Sequence, residues 1–235
     1  MQNELWNSLA SRASLRLSQE QHDKLARYLD LLIEANKTMN LTRITERGEA
    51  EIHHVGDSLT LLPFLPTGNI SIADVGSGGG VPGIPLAIAR PDAQFLLIES
   101  TKKKAAFLER AIAELQLPNV RVVGQRAEDI GQSGRRQTFD VAIARAVATL
   151  DWLAEWLLPL VKVGGKALAM KGKRAADELP AADRAIRLLG GGAPISHAVD
   201  LPGTDSHVII EIPKVRKTDA RYPRPATAAK GKAVG

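Results

Sequence analysis

The chain contains no cysteine. That excludes disulfides, thiolate zinc sites and every mechanism that needs a cysteine nucleophile. None of its five histidines stands in an H-E-x-x-H spacing, so no metal site is expected. No apolar run approaches the ~20 residues of a membrane span. The start, MQNELWNSLASRASLRLS, lacks the apolar block of roughly 7–15 residues that a signal peptide carries. Arg12, Arg16 and nearby serines faintly suggest a transit peptide, but Glu4 and the spacing of Leu5, Trp6 and Leu9 favour a plain helix. There is no internal repeat.

The positive charge is also absent from most of the chain. The net charge is +5, yet residues 214–235 hold Lys214, Arg216, Lys217, Arg221, Arg224, Lys230 and Lys232 against one acid, Asp219. That segment is +6, which leaves −1 for the first 213 residues. A basic end suggests a polyanionic partner such as nucleic acid; the alternative is a solubilising terminus. With 235 residues and 44% hydrophobic content, one α/β domain with an appendage is the natural count.

The stretch around which the rest is organised is ISIADVGSGGGVPGIPLAIAR, residues 70–90. Ile70, Ile72, Ala73 and Val75 read as a strand buried on both faces. Gly76, Gly78, Gly79 and Gly80 follow, then Pro82 at the first turn of a helix with Ile84, Leu86, Ala87 and Ile88. A strand, a glycine turn and a free helix N-terminus form a place to hold a nucleotide-like ligand. Gly78, Gly80 and Gly83 formally satisfy G-x-G-x-x-G. Counted from the strand end at Gly76, however, the third glycine falls on Val81, so the dinucleotide register fails. What remains, Asp74-x-Gly76-x-Gly78, resembles motif I of the class I S-adenosylmethionine (AdoMet) methyltransferases. No basic residue lies between Asp74 and Ile88 to meet a pyrophosphate, and an acidic loop suits a sulfonium and an ammonium better. A nicotinamide or other nucleotide, or a purely structural turn, are the competing readings.

Before this stretch, residues 1–68 read as helical. Ser18 and Gln21 form a capping box, and Leu25, Tyr28, Leu29, Leu32 and Ile33 share a helix face that ends before Leu41. A second helix is expected over 49–62, with Gly56 costing it ~1 kcal/mol relative to alanine. After it, strands and helices alternate, as in a parallel sheet. Strands are expected at 70–75, 94–99, 120–123, 139–144 and 166–170, the last entered through a Gly164-Gly165 turn. A final pair, 195–201 and 207–212, is joined through Pro202-Gly203-Thr204-Asp205. That link is too short for a helical crossover and makes the last strand antiparallel. The expected fold is thus α/β: a Rossmann-like, seven-stranded, mostly parallel methyltransferase sheet. The divisions are a helical extension (1–68), an AdoMet-binding core (69–213) and a basic flexible tail (214–235).

The chemistry-bearing candidates sit at strand ends. Glu99 ends the second strand, where an acid accepts ribose hydroxyls; the plain alternative is an acid favoured by the dipole of the next helix. Ala127 and Glu128 follow the third strand, placed to meet an adenine ring and its amine, or else to form a solvated charge cluster. Arg145 follows the fourth, able to hold a carboxylate, a phosphate or a base edge. Lys171 ends the fifth. His54 and Asp57 lie i, i+3 on one helix face, near Asn36-Lys37 and Asn40-Leu41-Thr42, and read equally as caps and side-chain hydrogen bonds.

Together NKTMNLT (36–42), HHVGDS (53–58), DVGSGGGVPGIPLAI (74–88), LIESTKKKAAFLE (97–109), RAEDI (126–130), ARAVA (144–148) and MKG (170–172) resemble the RsmG family, also called glucose-inhibited division protein B. The resemblance spans about Leu17 to Tyr222. It implies methylation of N7 of guanine 527 in 16S ribosomal RNA, with AdoMet as cofactor, cofactor contacts at Gly76, Val81, Ala127, Glu128 and Arg145, and no metal. Asp74, Gly78 and Glu99 complete the cofactor set. Asn36, His54, Asp57 and Lys171 are candidates for the RNA-facing side, and Arg145, Lys171, His54 and Asp57 are the catalytic candidates. The expected partner is the small ribosomal subunit, met by a monomer in the cytoplasm, away from membranes. Two departures stand out: Gly56 where leucine is usual, and an end after Arg224 without the common basic-dense finish. A methyltransferase for a small molecule or protein, and an RNA-binding module with a dead cofactor site, are the alternatives.

The residue inventory suits N7 chemistry. N7 of guanine already carries a lone pair, so no base is needed to deprotonate it. Pyrimidine carbon-5 methylation would ordinarily need a cysteine. The [DN]-P-P-[FY] motif common among exocyclic-amine methyltransferases is replaced here by residues 144–147.

Overall fold

A computed structural model describes residues 2–145, 148–172, 175–204, 207–229, 231 and 233–234. Ala146 and Val147 of the 144–148 motif, Asp205 of the last turn, and Lys230 and Lys232 of the tail lie outside them.

Two helices open the chain: α1 (Gln2–Ser11) and α2 (Gln19–Met39). The capping box forms as expected, with Ser18 Oγ accepting from Gln21 N–H and the Gln21 side chain accepting from Ser18 N–H. Asn40 ends α2 in the left-handed conformation, φ 50°, a cap that asparagine tolerates. The second expected helix begins earlier, at Arg47, and is not uniform. It runs as α3 (Arg47–Ala50), a π-helical stretch over Glu51–Gly56, and α4 (Asp57–Leu59).

The alternation that follows is β1 (Ser71–Val75), α5 (Gly83–Ala89), β2 (Gln94–Ile98), α6 (Lys102–Leu115), β3 (Val120–Val123), α7 (Ala127–Gly131), β4 (Phe139–Arg145), α8 (Leu150–Leu157), β5 (Val161–Lys171), α9 (Ala175–Leu188), β6 (Ile195–Ala198), β7 (Val208–Pro213) and α10 (Ala226–Ala229). The seven strands lie in the order β3-β2-β1-β4-β5-β7-β6. Among the described strands β7 runs against the direction of the other six, pairing antiparallel with β5 and β6. Gly164-Gly165 is not the entrance to β5 but an irregularity inside it, where the register against β4 shifts. A Cβ on Gly165 would stand 2.4 Å from the Asp140 carbonyl oxygen, so only glycine admits that approach.

The core has two parts. Trp6, Leu25, Tyr28, Leu29 and Leu32 of the N-terminal helices share one with Ile84, Leu108 and the sheet. The helical extension is therefore packed into one layer with α5 and α6. The other part holds Leu153, Leu157, Ile186 and Ile210 on the opposite face. Leu201 packs over Gly56, where a Cβ would meet its Cδ1 at 3.2 Å, so the glycine is matched by a bulky neighbour.

The expected flexible tail is corrected. Lys214 is buried and its Nζ donates to the carbonyls of Leu158 (2.7 Å) and Leu189 (2.9 Å), which end α8 and α9, and to Thr218 Oγ1. Burial, with Arg136 and Arg216 nearby, pushes this amine down to about 7. Arg136 donates to the carbonyls of Thr218, Asp219 and Tyr222. Arg224 pairs with the buried Glu155 at 2.6 Å. Lys214 and Arg136 thereby satisfy buried backbone carbonyls, and Arg224 a buried carboxylate. Lys214 and Arg224 are thus engaged within the fold and not presented as part of a free basic tail.

Candidate active site

The carboxyl ends of the parallel strands form one edge, and the strand order reverses between β1 and β4. Ligands in open α/β sheets bind there. Two recesses occupy that edge, one on each side.

The first lies over β3, β2 and β1. Gly76 (φ 72°) and Gly78 (φ 54°) take backbone conformations that side chains disfavour. Their turn folds over β2, with Gly76 N–H donating to Ile98 O at 2.9 Å. A cleft of about 400 Å3 results, lined by Gly76, Glu99, Gln125, Ala127, Glu128 and Trp156 among others. Glu99 accepts from Gly78 N–H (3.0 Å) and Thr101 N–H (2.7 Å). It therefore ties the glycine turn to the start of α6 while still facing the cleft. Glu128 is buried and held by Arg126 at 3.2 Å.

Four expected cofactor residues do not line this cleft, and one of them, Arg145, stands on the second recess instead. Gly78 shapes its wall through Glu99. Val81 is buried in the core with the N-terminal helices. Asp74 lies beneath, fully buried, with Oδ2 accepting from Gly83 N–H at 3.1 Å and no partner for Oδ1 among the described residues. Burial raises its carboxyl to about 7. This contact corrects the expectation of a free helix N-terminus. The first N–H of α5 is taken by Asp74, and Ile84 N–H bonds back to Gly80 O at 2.8 Å. Gly83 is required at this approach, since a Cβ there would lie 2.6 Å from Asp74 Oδ2.

The second recess, about 530 Å3, lies over β4, β5 and β7. Asp57, Arg145, Met170, Lys171, His207 and Ile209 are on its walls. Arg145, the last residue of β4, organises it. Its Nη1 donates to His53 O (2.6 Å) and Asp57 Oδ2 (3.0 Å), and its Nη2 to His54 Nδ1 (3.2 Å). Three of the five guanidinium donors are used, and two remain for a ligand. The π-helical stretch explains how one arginine reaches all three. Asp57 N–H donates to Ile52 O and His54 O rather than to His53 O, and the widened turn presents the His53 carbonyl to Arg145.

His54 is buried, and with Nδ1 accepting from Arg145 its Nε2 donates to Thr42 Oγ1 at 2.9 Å. Burial and the neighbouring guanidinium lower its pKa to about 4. Thr42 is held in turn, its N–H donating to Asn36 Oδ1 at 2.9 Å. So the 36–42 and 53–58 motifs are joined directly, Thr42 to His54, and His54 in turn holds Arg145. His54 is buried with both ring nitrogens engaged, which corrects the expectation that it faces RNA, whereas Asn36 is half-buried and reaches Arg145 only through Thr42 and His54. Lys171 needs a similar correction. Its Nζ pairs with Glu178 (2.7 Å) and donates to Ala148 O (2.7 Å). The ammonium is already neutralised, and the stem alone contributes to the wall.

Asp57 keeps its place on the wall. Burial pushes its carboxyl up, but the hydrogen bond from His207 and the Arg145 charge outweigh that, and it lies below the usual range. His207 was not among the sequence candidates. Its Nδ1 lies 3.3 Å from Asp57 Oδ1, a contact between residues 150 positions apart, and no local pattern announces it. Trp156, on the wall of the first cleft, was legible only as an apolar helix residue.

Comparison with known proteins gives these findings. A family model described as rRNA small subunit methyltransferase G matches residues 21–200. A protein of that name from Alkaliphilus oremlandii is 42% identical over 221 residues, 92% of each chain. Others from Lacticaseibacillus paracasei and Chloroflexus aggregans are 45% and 41% identical, each covering 88% of both chains. Among solved structures, a SAM dependent methyltransferase from Aquifex aeolicus aligns with TM-score 0.56 and 12% identity, covering 75% of this chain and 97% of that one. A 16S rRNA (adenine(1408)-N(1))-methyltransferase variant from Catenulisporales acidiphilia aligns with TM-score 0.52 and 16% identity, covering 64% and 87%. The last two likenesses concern the fold alone.

Proposed function

The chain belongs to the rRNA small subunit methyltransferase G family, and from that premise we propose that it transfers a methyl group from AdoMet to N7 of a guanine in 16S ribosomal RNA, guanine 527 by family resemblance. The observation that carries the reading is the pairing of two recesses along one strand edge, with Arg145 beside the switch point between β1 and β4.

The first cleft fits AdoMet. Glu99 is placed for the ribose hydroxyls, Ala127 and Glu128 for the adenine. Asp74, buried beneath the cleft, supports the glycine turn from below through Gly83 N–H. Bound AdoMet supplies an electrophilic methyl on a sulfonium. The chain's own residues position and orient. Arg145, rigidly held by His53, His54 and Asp57, offers its two remaining N–H groups where cofactor and acceptor meet. The second recess opens on the strand edge beside Arg145 and can take a base turned out of a loop. That is how a guanine N7 becomes reachable, since the deep groove of A-form RNA hides it. No residue need remove a proton from the acceptor nitrogen.

The same reading takes the small ribosomal subunit or its RNA as partner, in the cytoplasm, for a monomer that needs no metal. Among the described residues no helix is long and apolar enough to cross a membrane.

The test is transfer of labelled methyl from AdoMet to 30S subunits or naked 16S RNA that lack the modification. Borohydride and aniline then cleave the RNA at N7-methylguanine. One new cleavage, at position 527, is the expected result. Label appearing in protein, in small metabolites or at another ring atom would overturn the reading.

A further inference from the structure

His207 is placed by topology. The antiparallel register pairs Lys171 with Val208, so β7 begins where β5 ends. The residue just before β7 is thereby delivered to the active edge. The fold also orients the ring. A carboxylate can only accept, so Nδ1 must carry the proton in the 3.3 Å contact with Asp57 Oδ1. Nε2 has no partner among the described residues, and the side chain stays 37% exposed on the wall of the second recess. In the neutral ring Nε2 is then a bare acceptor.

We propose that His207 is a positioning and specificity residue for the acceptor base, accepting the ring N1–H of guanine at Nε2. This rests on the reading of the chain as a guanine-N7 methyltransferase. Guanine offers a donor at N1 and adenine a lone pair, so the same acceptor welcomes one purine and repels the other. The contact also favours the transition state. As the N7 lone pair forms the new N–C bond, the S–C pair leaves with sulfur and the purine gains a positive charge. Its N1–H becomes more acidic, and the hydrogen bond to Nε2 strengthens as the methyl moves. No proton leaves the base.

Charge selects the neutral imidazole as the working form. Arg145 and Asp57 cancel, and Lys171 is cancelled by Glu178. Among the described residues these are the charged groups on the wall and their direct partners. An imidazolium would add an uncompensated positive charge beside a sulfonium and a methylated base, both cationic. The hydrogen bond to Asp57 raises the His207 pKa, against burial and Arg145, which lower it. The acceptor is therefore lost as pH falls through that raised value.

The experiment measures kcat and KM for RNA against pH for wild type, His207→Ala and His207→Gln, with AdoMet affinity by calorimetry. Wild type should show an acid limb. His207→Ala should lose about 10-fold in kcat/KM, the worth of one hydrogen bond, with AdoMet affinity within about two-fold. His207→Gln keeps an acceptor that does not titrate, and should recover part of the rate with the acid limb gone. A merely structural role would not move that limb. A wild-type rate and profile in His207→Ala, an acid limb persisting in His207→Gln, or a rate that falls as pH rises would overturn the proposal. If wild type methylates no guanine, the functional reading fails and this one with it. If wild type is active and the variants match it, this one fails alone.

Discussion

Two buried aspartates, one on each half of the strand-end edge, titrate in opposite directions. Asp74, under the glycine turn, is raised to about 7; Asp57, on the far recess, is lowered. Both are almost wholly buried, so burial alone cannot separate them. The difference is in partners. Asp74 has one backbone N–H and a bare oxygen, whereas Asp57 has a guanidinium and an imidazole. A buried charge is tolerated when paired. The cofactor half thus rests on a buried carboxyl that keeps its proton, and the acceptor half on a carboxylate whose charge is met before anything binds.

The largest test of that division is Arg145→Ala. Removing one partner of a buried pair leaves Asp57 uncompensated and His53 O and His54 without their donor. About 3 kcal/mol of stability should be lost, measured by denaturant unfolding. Methyl transfer should fall by more than about 100-fold, while AdoMet affinity falls by no more than about 10-fold, one charge-assisted hydrogen bond. Equal losses in both would merge the two halves into one site and break the comparison.

Asp74→Asn is the next test. The native carboxyl keeps its proton up to about 7, whereas the unfolded one loses it near its ordinary value of 3.8. Between these pH values the unfolded state binds fewer protons, so wild-type stability falls as pH rises, and the full cost is present above about 7. On the order of 4 kcal/mol should separate pH 4 from pH 8 through this group. The asparagine variant should lack that slope, and urea unfolding across the range reads it. An unchanged slope would mean that the pH dependence comes from a group other than Asp74.

The two halves also differ in how far they could be read from the chain. The cofactor half is local: β1, its glycines, Glu99 and the 127–128 pair each follow a strand end directly, and periodicity with glycine chemistry finds strand ends. The acceptor half is built from distance. Arg145 meets Asp57 across 88 positions and His207 meets Asp57 across 150. The 36–42 and 53–58 motifs read as caps and side-chain hydrogen bonds, but what His53, His54 and Asp57 hold is Arg145, on a strand 88 or more residues away. The π-helical turn that makes this reach possible has no signature in EIHHVG. The tail misled for a related reason. Its charges were countable, but the orphan carbonyls of α8 and α9 that draw Lys214 inward are a property of the fold.

The smallest expected effect belongs to Asp57→Asn, read as a slope rather than an offset. The lowered native pKa means that the unfolded state takes up a proton first as pH falls. Wild-type stability from this group is therefore fully present above the ordinary carboxyl range, and is lost as pH falls through the native value. The asparagine variant is expected to start less stable, because Arg145 loses its counter-charge, yet to decline less steeply below pH 4. The same change should lower the His207 pKa, since its hydrogen bond to Asp57 is the largest cause of the rise. A single variant therefore reports on both partners: unfolding against pH gives the carboxylate, and imidazole resonances in an NMR titration give His207. A His207 titration that does not move would show that the imidazole is held by something other than Asp57, and the acceptor half would no longer be the self-compensated partner of the cofactor half.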